Sequence, residues 1–85
     1  KGGGYLSDTF LESLGLYFDK NLNIVKISSN ARKYGLKIGD NLLQINYKNI
    51  KNEKEMRKIF SVNRDFSILL FQRDNFQFFV TIKSI

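Results

Sequence analysis

Ser13-Leu14-Gly15-Leu16 is the stretch of this chain best suited to recognition chemistry. A glycine between apolar residues lets successive backbone N–H groups turn toward one cluster of oxygens, making an anion-binding nest. Leu14, Leu16 and Phe18 alternate with Gly15 and Tyr17, so a strand runs straight on from the glycine. Beside such a nest, the open edge of a strand can take up an extended peptide by β-augmentation, with the peptide's terminal carboxylate at the amides. The same residues also read as the inward face of an ordinary strand, in which Gly15 permits a bend.

Covalent chemistry has little to work with. The 85 residues include no histidine and no cysteine, which removes the usual general base, the thiol nucleophile and the common zinc ligands. Serine and lysine are plentiful, and a Ser–Lys dyad is a known nucleophile–base pair. However, neither G-x-S-x-G nor S-x-x-K occurs. The expectation is a non-catalytic domain without metal or cofactor. The formal net charge of +6 comes from Lys and Arg spread along the chain. That is the pattern of a solvated surface and not of a nucleic-acid footprint. No run reaches the roughly 18 apolar residues of a membrane span, so the domain is not expected to insert into a bilayer. An apolar fraction of 42% with eight Phe and four Tyr is enough for one modest core.

The elements that must position the candidate site follow from periodicity and turn chemistry. Lys1–Gly4 reads as a linker, and residues 5–85 as one domain. Leu6, Phe10, Leu11 and Leu14 have helical spacing, which predicts a short packing helix over Tyr5–Leu14. Leu14–Phe18 and Leu22–Ile27 are two strands joined at Asp19-Lys20-Asn21 as an antiparallel hairpin. Ser28-Ser29-Asn30 caps a single turn from Ala31 to Tyr34, ended by Gly35. Gly39 makes a tight reversal, Asp40 accepts from nearby backbone amides, and Leu42, Leu43 and Ile45 form a buried strand ending at Asn46. The chain turns at Tyr47-Lys48-Asn49, and Ile50 is a very short return strand.

Asn52-Glu53-Lys54-Glu55 is a capping-box helix start, with two acids in the first turn. Met56, Ile59 and Phe60 form the apolar stripe of that helix, while Lys54 and Lys58 face water. The helix is expected to end near Ser61–Asn63. Asp65–Arg73 and Phe76–Ile82 are strands joined at Asp74-Asn75, with Phe76, Phe78, Val80 and Ile82 on one face.

The run Gly35-Leu36-Lys37-Ile38-Gly39-Asp40, then an apolar strand to Asn46, resembles the signature stretch of PDZ domains, particularly the bacterial kind. Ala31 before it, and Ile50 with a helix after it, fit the same pattern. The resemblance spans most of Leu14–Ile82. The elements themselves sum to five or six short, mostly antiparallel strands and two helices, a small, partly open β-barrel or sandwich capped by helices. The resemblance implies the PDZ-like form of this α+β, mostly β fold, a partly open antiparallel β-barrel of five or six strands capped by two helices. In that family an x-Φ-Gly-Φ loop (Φ apolar) precedes the strand that pairs with a partner's C-terminus. The resemblance therefore places the peptide site at Ser13, Leu14, Gly15, Leu16, Tyr17 and Phe18, with Glu53, Met56, Arg57 and Phe60 on the opposite wall. Arg57, at the margin of the stripe, either meets an acidic peptide side chain or extends into solvent.

The sequence departs from the family in several places. Ser29-Asn30-Ala31 lacks the proline of many bacterial members, Tyr47 stands where glycine is frequent, and no histidine opens the long helix. In protease-associated members of the HtrA type, a loop nearer the N-terminus fills the carboxylate role, here Gly3-Gly4-Tyr5-Leu6. The implied function is a protein-interaction module of a bacterial periplasmic or cell-envelope protein, binding a peptide or protein C-terminus. The alternatives are a scaffold domain packing against its neighbours, or the regulatory domain of a serine-type protease.

Overall fold

The computed structural model describes residues 15–62 and 66–83. The expected linker, the Tyr5–Leu14 helix, the Gly3–Leu6 loop, and Ser13 and Leu14 of the candidate site lie outside the described residues. Among the described residues the chain forms β1 (Leu16–Phe18), β2 (Ile24–Ile27), α1 (Ser29–Arg32), β3 (Asn41–Ile45), β4 (Lys48–Asn49), α2 (Glu53–Val62), β5 (Phe66–Arg73) and β6 (Phe76–Lys83). The result is a β-rich α+β fold in which every strand pairing is antiparallel.

The strands form two sheets, a β1–β2 hairpin and a four-stranded sheet in the order β4-β3-β5-β6. They meet at one corner. Asn23 bridges Asn41, the Leu42 amide donates to the Leu22 carbonyl at 2.9 Å, and the Ile24 amide donates to the Asp40 carbonyl at 2.9 Å. The turn between β1 and β2 is built by Asp19, whose Oδ1 accepts from the amides of Asn21 and Asn23, each at 2.9 Å. Those bonds, the Asn23 amide first, hold the Asp19 carboxyl below its ordinary pKa against a smaller effect of desolvation. The second strand begins later than the alternation suggests, because Leu22 takes a φ of 67° as the last turn residue while staying buried.

The loop after β3 also differs from expectation. Asn46 and Tyr47 have φ values of 51° and 69°, the pair of positive angles that a two-residue type I′ hairpin requires. Pairing therefore resumes at Lys48, opposite Ile45, and Ile50 follows the strand instead of forming it. Asn46 then clamps β5: its amide donates to the Ile68 carbonyl at 2.7 Å, and its Oδ1 accepts from the Ile68 amide at 2.8 Å. Tyr47 occupies a conformation that usually favours glycine, and its ring packs on Phe79 with centroids 5.8 Å apart. Gly35 and Gly39, at φ 81° and 99°, are the turn glycines that the spacing predicts.

The core gathers Leu16 and Ile24 of the hairpin, Leu42 and Ile45 of β3, Met56 and Phe60 of α2, and Leu69, Phe71 and Ile82 of the last two strands. Alternation along β6 is as expected, with Val80 and Ile82 buried and Phe78 packed against the core, although Phe76 at the strand's start is 49% exposed. One polar group is out of place there. Ser67 is fully buried on β5, and its hydroxyl has no hydrogen-bond partner among the described residues.

Two stability predictions follow from these positions. Ser67→Ala removes a desolvated hydroxyl that gains nothing in return, so it is expected to stabilise the fold by about 1 kcal/mol. A thermal melt should show a midpoint several degrees higher, and a lowered midpoint would mean that the hydroxyl is bonded in solution. At Gly39 a side chain would meet open space, so Gly39→Val tests backbone strain alone and is expected to cost about 1–3 kcal/mol in chemical denaturation.

Candidate peptide-binding site

Gly15 opens β1 with a φ of 90°, and its carbonyl accepts from the Ser28 amide at 2.9 Å. A Cβ at this position would run into the Ser28 side chain. Both the dihedral and the close approach therefore demand glycine. Ser28 in turn caps α1, its Oγ accepting from the Ala31 amide at 3.3 Å. The start of the strand and the start of the helix thus share one residue. Among the described residues β1 has β2 on one side only, so its other edge is unpaired.

The other expected wall, α2, starts as a capping box with a shift of one residue. Asn52 Oδ1 accepts from the Glu55 amide at 2.9 Å, while Glu55 Oε1 reaches back to the Lys51 amide at 2.8 Å. Met56 and Phe60, one turn apart on the inward face, are fully buried together with Leu16. Phe18 is half-buried against the same cluster and stacks on Phe71 at a centroid distance of 6.3 Å. The structure therefore brings Leu16, Phe18, Met56 and Phe60 into one cluster, with Phe18 at its half-buried margin. Tyr17 points away at 38% exposure, with Lys26 Nζ 5.4 Å from its ring centroid. Arg57 is held by Glu53, with Nη2 2.8 Å and Nε 3.2 Å from Oε2, the i,i+4 pairing of a helix surface.

A second cluster surrounds the turn glycines. Asp40 is 2% exposed yet carries a carboxylate. Arg73, from the end of β5, grips it with a two-pronged bond, Nε to Oδ1 at 2.8 Å and Nη2 to Oδ2 at 2.7 Å. The Lys37 amide donates to Oδ2 at 2.9 Å, and Arg73 Nη2 also donates to the Gly35 carbonyl at 2.7 Å. Desolvation pushes the Asp40 pKa up, but the Arg73 bonds, the Lys37 amide and the nearby cationic charges outweigh it. The carboxyl is held below its ordinary value of 3.8. The hydrogen bonds to Asp40 correspondingly raise the pKa of Arg73. The guanidinium carbon lies 4.8 Å from the Phe78 ring centroid, adding a cation–π contact.

The turn-stabilising role of Asp40 is visible in sequence. Its partner is not, because Arg73 is 33 residues away. Beside this network is a pocket of about 370 Å³ lined by Ile27, Arg32, Gly35, Leu36, Lys37 and Ile38. None of the described peptide-site residues chosen from sequence lines it. The one signal for it is Ile38, an isoleucine 63% exposed in a turn where polar residues prevail. Among the described residues no group of His, Cys, Asp or Glu could hold a metal ion, and no helix is long and apolar enough to cross a membrane.

Comparison with known proteins adds no relative: no protein-family model matches the chain, and no curated protein matches it.

The depressed pKa of Asp40 carries a pH prediction. A carboxyl whose folded pKa lies below its unfolded value stabilises the fold fully above the unfolded value, here near 3.8. That contribution is lost as the pH falls through the folded value. Asp40→Asn keeps the shape but gives up charge-assisted bonds, at a cost of about 1–3 kcal/mol near neutrality. Denaturation at a series of pH values should show the wild-type advantage shrinking below pH 3.8. An advantage that stays constant into strong acid would contradict it.

Proposed function

We propose that this chain is a PDZ-like recognition module, non-catalytic, that binds an extended peptide or a protein C-terminus by β-augmentation. The observation that carries the reading is the outer edge of β1, unpaired among the described residues and preceded by Gly15 with a φ of 90°. An incoming strand would bond to the β1 backbone, and its terminal carboxylate would sit at the amides around Gly15 and Leu16. The order of elements supports the family resemblance: a hairpin, a one-turn helix ended by Gly35, a strand ended by Asn46, a short return strand, then the capped α2. Two sheets joined at one corner are compatible with a partly open barrel. Placement in a bacterial periplasmic or cell-envelope protein belongs to the same proposal and rests on the resemblance.

Arg57 then acts through its pair. With Glu53 beside it, the helix presents a neutral ion pair, so selection for acidic peptide residues would require the pair to open. One observation favours a second reading, a scaffold domain that packs against a neighbour. Tyr47 and Phe79 form an exposed aromatic pair at 66% and 56% exposure, a surface suited to a protein interface.

Peptides ending in Val, Leu, Ile or Phe are expected to bind with a Kd on the order of micromolar. They should shift the amide resonances of Leu16, Tyr17 and Phe18, and C-terminal amidation should abolish both effects. Equal binding of amidated peptides would rule out the carboxylate nest. Absence of binding by any of them, with self-association or co-assembly lost on Phe79→Ser, would favour the scaffold.

A further inference from the structure

We infer that the pocket between the end of β2, α1 and the Gly35–Gly39 loop is a second docking site, for an acidic segment of a partner protein that inserts one aliphatic side chain. This stands apart from the reading of the β1 edge, since neither Gly15 nor α2 lines the pocket. Three features of the pocket converge on that ligand.

Its walls are apolar, with Ile27 half-buried, Leu36 buried, and Ile38 left 63% exposed at the rim. Covering Ile38 with another aliphatic group recovers hydrophobic free energy that the isolated chain forgoes. The about 370 Å³ of space falls at the small end of ligand-sized sites. That admits a branched side chain with its flanking backbone, but not a folded surface.

Its charge is unbalanced. Arg32 and Lys37 both line the pocket and are exposed, and neither side chain has an ion-pair partner among the described residues. Arg57 and Arg73, by contrast, are each satisfied by an acid of their own chain. The acid nearest to the pocket, Asp40, is engaged by both prongs of Arg73 and by the Lys37 amide. The Lys37 ammonium acts on it through charge but makes no ion pair with it. An incoming carboxylate is the missing complement, and it would also be steered by the chain's net charge of +6.

The pocket is also preformed. Its loop is pinned by the Lys37 amide on Asp40, by Gly39 N–H to the Ile24 carbonyl at 2.8 Å, and by Arg73 on the Gly35 carbonyl at 2.7 Å. A loop fixed at three points loses little conformational entropy on binding, so even a short segment can gain measurable affinity. Bare phosphate would satisfy the cations and leave the apolar floor uncovered. That distinguishes a peptide from a simple anion.

The probe is a pentapeptide of sequence Asp-Asp-Leu-Asp-Asp, acetylated and amidated so that it offers no terminal carboxylate to β1. Titrated into the isotope-labelled chain, it should shift the amides of Ile27, Arg32, Gly35, Leu36 and Ile38 and leave those of Leu16–Phe18 in place. Binding should weaken about tenfold in Arg32→Glu and in about 0.5 M salt, where the rim charge is reversed or screened. It should fall similarly in Ile38→Ser, a change at an exposed position that leaves the core untouched. Several outcomes would overturn the proposal: no shift at these amides, equal binding of a Lys-Lys-Leu-Lys-Lys peptide, or the same shifts with inorganic phosphate alone. Undiminished affinity in both Arg32→Glu and Ile38→Ser would do so as well.

Discussion

The buried Asp40 carboxylate is the constraint around which the described structure is arranged. A charge removed from water is tolerable only when its oxygens are bonded and its sign is opposed. Both conditions are met by one guanidinium from the far end of β5 and one amide from the adjacent turn. Meeting them fixes the geometry of everything nearby. Arg73 must lie at the end of its strand over Phe78, the Gly35–Asp40 loop must curl so that the Lys37 amide faces inward, and Gly35 must present its carbonyl to the same arginine. The Asp40 carbonyl then receives the Ile24 amide, which ties the hairpin to the larger sheet. One ion pair thus joins the loop, both sheets and the last hairpin. Replacing the arginine by lysine would keep the sign but lose the fork that reaches two oxygens and a carbonyl at once.

Elsewhere side-chain amides do the fastening that apolar packing cannot. Asn46 closes β3 onto β5 through both its backbone and its side chain, Asn41 Nδ2 bonds Asn23 Oδ1 at 2.9 Å across the corner between sheets, and Asn52 caps α2. Each sits where the backbone leaves regular structure and its polar groups need partners. Small cores gain from such clamps, because a domain of this size buries too little surface for packing alone to specify every loop. The two binding proposals use different parts of this scaffold. The β1 edge is ordered from beneath by Leu16 in the core and at its end by Gly15 on Ser28, whereas the pocket beside α1 depends on the glycine loop and its ion pair.

Most of the secondary structure is determined by local sequence, for local reasons. Alternation marks β1 and β6, a nearly continuous apolar run marks β5, the i, i+3, i+4 stripe marks α2, and Asp, Asn or Gly stands at each reversal because those residues tolerate the required dihedrals or bond their own backbone. The positive φ angles of Gly35 and Gly39 and the cap at Asn52 are legible for the same reason. Tertiary structure decides what involves distant partners. Tyr47 takes a glycine-like dihedral in the turn between β3 and β4, and the strands divide into two sheets that meet at one corner. Asp40 finds Arg73 across 33 residues. Leu16, Met56 and Phe60 are apolar and rightly spaced to share a face, yet only packing brings the strand and the helix into one cluster, because periodicity tells which residues share a face and not which element they meet. The pocket beside α1 is beyond local reading altogether. Its walls come from the end of a strand, a one-turn helix and a loop, and only the folded chain brings Arg32, Lys37 and Ile38 around one cavity.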